Sequence, residues 1–307
     1  MRPAAAVLAA AIAAPAVAQD LPIVLPDRAT WTMTVERTSE RNRPNAAAQI
    51  ARSVSTSDVD WTADGDGGVI TLRVRSAQLD GPNAAAFDTN ALLDQPVVLE
   101  VEPSLAPTKV RNWPQVRTLL EQTIDKAVAE PAAALTAKKI FSDLSPEQAA
   151  QVVSREWSLA TLSQGTALKL GHPVDYEDAL PNPLGGPPIK SVGTFELQAY
   201  DAAAGRAVIE WKQAFDPQSA SASVGQALSA MMARLAPDKA KEVQAAFASM
   251  QINREDACRH EIDIPTGLAL KVVCTSAMTT SAKGQTATNL DRWTITQTRP
   301  QPSAKIN

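Results

Sequence analysis

The sequence predicts an α+β protein in which a curled antiparallel sheet, half-barrel-like in outline, packs against several helices. Three observations lead there. Apolar and polar residues alternate along many short segments, these segments fall into groups separated by blocks of helical periodicity, and proline- and glycine-rich turns divide them. One apolar face and one polar face mark antiparallel strands solvated on one side; parallel, doubly wound sheets carry unbroken apolar runs instead.

Before the first strand lies an export signal. Arg2 supplies a positive charge, Pro3 to Val17 carry no charged side chain, and Ala16-Val17-Ala18 fits the small-x-small rule for cleavage before Gln19. Residues 1–18 are therefore expected to be a signal peptide. The apolar run is shorter than the roughly 20 residues needed to span a bilayer, and no later stretch approaches that length, so no transmembrane segment is expected in the mature chain. The expected location is the periplasm or the cell exterior.

Residues 19–28 and 299–307 are expected to be loose termini flanking one α+β domain over 29–298. Within it, Trp31, Met33 and Val35 alternate with Thr32, Thr34 and Glu36, and Ile70, Leu72 and Val74 alternate with Thr71, Arg73 and Arg75. Asp64-Gly65-Asp66-Gly67-Gly68 before that second run has the look of a calcium loop. Matched to one, it leaves Thr62 at the first ligand position and Arg73 at the bidentate one, so a hairpin turn between Trp61 and Val69 explains it better. Val97, Leu99 and Val101 make the next strand, and a proline-bounded turn leads to a short one ending at Val110.

A helical block follows. Pro114 opens a stretch with Val116, Leu120 and Ile124 at helical spacing, and Pro131 ends or kinks it. Ser145-Pro146-Glu147-Gln148 is a capping box with proline at the first helical position, heading a helix whose stripe is Val153, Trp157 and Ala160. From Gly165 to Lys190 the density of Pro and Gly predicts an extended crossover, or alternatively a link between two lobes. Phe195, Leu197 and Ala199, then Ala207, Ile209 and Trp211 after an Asp201–Gly205 turn, form two strands. A helix with Val224, Leu228, Met231 and Leu235 comes next, and after Pro237 another with Val243, Phe247 and Met250. Trp293 and Ile295 mark the last strand.

The two cysteines, Cys258 and Cys274, flank a hairpin. Cys258, His260, Ile262 and Ile264 share one face, and Leu268, Leu270, Val272 and Cys274 share one face after a Pro265-Thr266-Gly267 turn. Closing the hairpin there pairs Ile264 with Leu268, Ile262 with Leu270, His260 with Val272 and Cys258 with Cys274. Opposed strand residues lie about 4.5–5.5 Å apart at Cα, within disulfide reach. A structural cross-strand disulfide is expected, as suits an oxidising compartment.

The formal charge of −4 carries no basic block, so nucleic acid is not an expected partner. No GxSxG elbow, Walker loop, GxGxxG or CxxC occurs, and no cofactor is expected. His172, Asp175 and Glu177, with Asp178, concentrate potential metal ligands, but their spacing fits no named site and a solvated acidic loop explains them. Ile262, Leu270, Met231 and Leu228 are the residues expected to line any apolar ligand.

The element order, with Ile264 to Leu270 as strand, turn and strand, and Val97 to Val110 as strand, proline turn and short strand, resembles exported bacterial domains of unknown function with half-barrel folds. These are similar in turn to the periplasmic lipoprotein carrier LolA and its outer-membrane receptor LolB. The resemblance implies a curled sheet closed by helices around acyl chains. The expectation is thus a non-enzymatic periplasmic protein that binds an apolar or amphiphilic ligand, such as a lipid, or an envelope protein partner. A hydrolase using carboxylates such as Asp175 or Glu177, and an interaction scaffold with a filled core, are the alternatives.

Overall fold

The structure, a computed structural model, describes residues 18–82, 84, 93, 95–128, 130–180, 182, 186–235, 250–282 and 284–303, without the side chains of 136, 140 and 231–235. The expected signal peptide, apart from Ala18, lies outside the described residues, as do the expected helix through Val243 and Phe247 and the side chain of Met231.

Strands β2 (Arg28–Asn42), β3 (Gln49–Asp64), β4 (Gly67–Asp80), β5 (Pro96–Val101) and β6 (Pro107–Val110) precede four helices, α1 (Trp113–Ala127), α2 (Pro131–Ser142), α3 (Pro146–Val153) and α4 (Arg155–Thr161). Then come β7 (Ala167–Lys169), β8 (Val174–Leu180), β9 (Ile189–Asp201), β10 (Arg206–Phe215) and helix α5 (Pro217–Leu235). Strands β11 (Gln251–Asp263), β12 (Leu268–Ala282), β13 (Gln285–Gln297) and β14 (Gln301–Pro302) finish the chain, and β1 (Ala18–Asp20) begins it. One 12-stranded antiparallel sheet runs β6-β5-β4-β3-β2-β13-β12-β11-β10-β9-β8, with β14 beside β2. It curls but stays open, with β6 and β8 at its edges. The pairing of β2 with β13 joins the first strand group to the second in one sheet.

The alternation seen in the sequence becomes the inner face. Trp31, Met33 and Val35 on β2, Val59 on β3, Ile70 on β4 and Leu99 on β5 are buried together with Leu197, Ile209, Trp211, Val272, Trp293 and Ile295. Trp113 on α1, Ala149 and Ala150 on α3, and Trp157 and Ala160 on α4 complete that cluster. Trp157 lies with its ring centroid 6.2 Å from that of Trp31, and its indole donates to the Leu105 carbonyl at 2.9 Å. The space between the middle of the sheet and α4 is filled by these rings. Removing each such side chain from water contributes roughly 1.5–3 kcal/mol.

Several expectations need correction. The termini are tied down: Leu21, Ile23 and Leu25 pack on the core, Gln19 and Asp20 pair with β7, and the Val24 amide donates to the Thr266 carbonyl at 3.0 Å. Their own period-2 apolar pattern is the cause. At the other end Gln301 and Pro302 pair with Thr30 and Ala29, while residues 304–307 lie outside the described residues. Residues 165–190, expected to be an extended connection, contain β7 and β8, because prolines flank those strands rather than interrupt them. Pro131 begins a helix instead of ending one; it occupies the first turn of α2, where its missing N–H costs nothing. The capping box forms as expected, but the helix it opens breaks at Ser154, giving α3 and α4.

The cysteine hairpin is right at the disulfide and shifted at its tip. Cys258 pairs with Cys274 and they are bonded; His260 pairs with Val272. Beyond them a bulge at Glu261/Ile262 puts Ile262 opposite Ala269 and Asp263 opposite Leu268. The turn has four residues because Asp263 closes it: its carbonyl accepts from the Thr266 and Gly267 amides, and its carboxylate accepts from Thr266 Oγ1 at 2.8 Å. Gly267 takes the left-handed conformation the turn requires, φ 71°.

Candidate functional site

The candidate site is where the inner face changes from apolar to charged. On β2 the inward sequence Trp31, Met33, Val35 continues two residues on to Arg37; on β13, inward Ile295 and Trp293 lead back to Asp291; on β11, inward Cys258 leads back to Asp256 and Arg254. Cross-strand pairing lays these out in rows. Trp211, Cys258, Cys274, Trp293 and Arg37 form one, and Gln213, Asp256, Ser276, Asp291 and Ser39 form the next. In the second row Gln213, Asp256, Ser276 and Asp291 are each under 10 % exposed, a buried polar band across four strands.

Two ion pairs anchor the band. Arg37 Nη2 lies 3.0 Å from Asp291 Oδ1, and Arg254 Nη2 lies 2.9 Å from Asp256 Oδ2. Both are partly enclosed, so solvent screens them less than an exposed surface pair. Arg254 also stacks over Phe215 at 5.1 Å. A third guanidinium enters from above. Arg155, the first residue of α4, sits 4.7 Å from the Trp293 ring centroid, and Arg37 sits 5.1 Å from the same centroid. Such cation–π contacts are each worth about 0.5–2 kcal/mol.

The Arg155 side chain makes no ion pair or hydrogen bond among the described residues. Burial pushes its pKa below the usual arginine value; the neighbouring Arg254 and Arg37 charges add to this, and Asp256 and Asp291 oppose it. Arginine keeps its proton nonetheless, since its ordinary value is so high. Three cations therefore face two buried carboxylates. Beside them, the buried Ser39 Oγ, Asn289 Oδ1 and Trp293 Nε1 have no hydrogen-bond partner among the described residues. The cluster combines three guanidinium groups with an aromatic platform and buried polar atoms, an arrangement with the donors to accept an anion.

The residues expected to line an apolar ligand do not share one wall. Ile262 is 2 % exposed inside the main core, and Leu270 is the extra, half-buried residue of the bulge. Leu228 and Met231 belong to α5, which packs with Ile189, Met250 and Ile252 at the far end of β11 from Ile262. His172 is exposed before β8, and Asp175 and Glu177 point outward from that edge strand. Asp175 Oδ1 accepts from Thr194 Oγ1 at 2.7 Å. With Lys212 and Glu255 they line an open hollow of about 890 Å³ on the outer face. No group of three or more His, Cys, Asp or Glu among the described residues could hold a metal ion.

The charged cluster was missed by reading alternation only as far as it stays apolar. The signal was present: the inward register carries through Arg37, Arg254, Asp256 and Asp291 without interruption. Arg155 has no such signal, because only the break at Ser154 and the docking of α4 bring it over Trp293.

No protein-family model matches the sequence, and no curated protein does. Among solved structures, DynF from the dynemicin biosynthesis pathway of Micromonospora chersina aligns over 97% of this chain and 92% of its own, at 8% identity and TM-score 0.22. The Pseudomonas aeruginosa protein OccK5 (OpdH) aligns over 90% of this chain and 98% of its own, at 8% identity and TM-score 0.22. The COG4313 outer membrane channel from Pseudomonas putida F1 aligns over 90% and 97%, at 9% identity and TM-score 0.17. Likeness at that level assigns neither fold family nor activity. No helix among the described residues is long and apolar enough to cross a membrane.

Proposed function

We propose that this chain is an exported, non-enzymatic binding protein that takes an amphiphilic ligand against the inner face of its sheet. The observation that carries this is the boundary on that face: an aromatic and aliphatic surface ends at a band of three arginines and two buried aspartates. An amphiphile matches such a boundary, with its polar part toward Arg37 and Arg155. Export is supported by the charged start and apolar run of residues 1–18 and by the Cys258–Cys274 disulfide.

The test is native mass spectrometry of protein purified from the periplasm of a bacterial host, with N-terminal sequencing. A lipid-sized adduct on a chain beginning at Gln19 is the expected result. A clean unliganded mass, together with no uptake of the apolar fluorophore N-phenyl-1-naphthylamine, overturns the binding reading, and an uncleaved cytosolic chain overturns export.

One observation favours a second reading, an interaction scaffold. Trp31 and Trp157 fill the space beneath α4. On that reading an envelope protein, not a small molecule, is the partner, and affinity purification from envelope extracts recovers one defined protein while the fluorophore is refused.

A further inference from the structure

Resting on the binding reading above, we infer that the cluster on the inner face is an oxyanion site, with Arg155 as the residue that takes the carboxylate or phosphate of the ligand. Charge balance is the first argument. Arg37 is committed to Asp291 and Arg254 to Asp256, and both carboxylates are thereby used. Arg155 remains, half-buried, with Arg254 and Arg37 as like-charged neighbours, only the two already paired aspartates opposing them, and no counter-ion in contact among the described residues. A lysine so placed could shed its proton; an arginine cannot, and an enclosed cation without a partner is costly. A bound oxyanion removes that cost.

Geometry is the second argument. Arg155 and Arg37 both lie over the Trp293 ring, at 4.7 and 5.1 Å from its centroid, so one aromatic side chain contacts both guanidinium groups without neutralising either. The Trp293 Nε1 and Ser39 Oγ, both buried and both without partners among the described residues, are donors on neighbouring rows, Ser39 being the cross-strand partner of Asp291 and Trp293 that of Arg37. Carboxylate and phosphate are the groups that use several converging N–H and O–H donors at once.

The experiment uses the processed protein loaded with N-phenyl-1-naphthylamine and displaced by dodecanoate, dodecyl phosphate or dodecanol. Wild type is expected to give way to one or both anions at a concentration about tenfold lower than to the alcohol, as one charged hydrogen-bonded contact supplies. Arg155→Met is expected to erase that gap, and Arg155→Lys to keep part of it. Whichever anion is tighter identifies the head group. Equal displacement by all three, or an undiminished gap in Arg155→Met, overturns the oxyanion site while leaving ligand binding intact. A protein that refuses the fluorophore overturns ligand binding, and the oxyanion site is then decided by inorganic phosphate at constant ionic strength. A rise in Tm for wild type that is absent from Arg155→Met upholds it; no rise in wild type overturns it.

Discussion

His260 donates from Nε2 to the Leu159 carbonyl at 2.9 Å, tying the fully buried imidazole of β11 to helix α4. A carbonyl can only accept, so the proton is on Nε2. Burial pushes the His260 pKa down to about 4.

That shift fixes a pH dependence. The folded value lies below the unfolded value of about 6.5, so between them the unfolded chain binds more protons and folding stability falls as pH drops. The expected loss from His260 between pH 7 and pH 4 is on the order of 3 kcal/mol. Urea titrations across this range should show it, and His260→Gln should remove it while keeping a donor for Leu159. An equal slope in the variant would place the effect elsewhere.

Trp157 should be the most sensitive aromatic residue. Its indole N–H satisfies the carbonyl of Leu105, a fully buried residue held at φ 64°, a conformation side chains seldom adopt. Trp157→Phe leaves that carbonyl unpaired and should cost about 1–3 kcal/mol, whereas Trp157→Ala should cost about 3–5 kcal/mol. Denaturant midpoints measure both.

The Cys258–Cys274 bond closes a loop with a sequence separation of 16. Loop entropy assigns it about 3 kcal/mol, so the Cys258→Ala, Cys274→Ala double variant should unfold at correspondingly lower denaturant. Thiol titration of denatured, unreduced wild type should find no free thiol.

Two glycines of like conformation separate backbone strain from contact. Gly284, φ 73°, has open space where a Cβ would go; Gly267, φ 71°, would place that Cβ 2.1 Å from the Pro22 carbonyl oxygen. Gly284→Ala should cost roughly 1–2 kcal/mol. Gly267→Ala should cost more and free the segment around Leu21, seen as new proteolytic cleavage between residues 19 and 28. Equal costs would mean that the segment is not seated on the hairpin.

Much of this was legible in the chain itself, for a simple reason. Alternation along Trp31 to Val35, Ala207 to Trp211 and Cys258 to Cys274 reports which side of a strand faces the core, and local geometry suffices to pair the cysteines across a hairpin. Capping by Ser145 and Gln148 is equally local. The hairpin tip was not legible, because the buried Asp263 there is paired with Arg299, 36 residues away in sequence and 2.7 Å distant.

What the residue order determined, then, is the alternating faces, the helical blocks and the cross-strand bond, all set by interactions between near neighbours. Tertiary structure alone decided that β2 lies beside β13, that residues 21–25 seat on the core, and that Arg155 comes to rest over Trp293. Those depend on which distant surfaces exclude water from one another, and periodicity along a chain records that a face is apolar without recording what covers it.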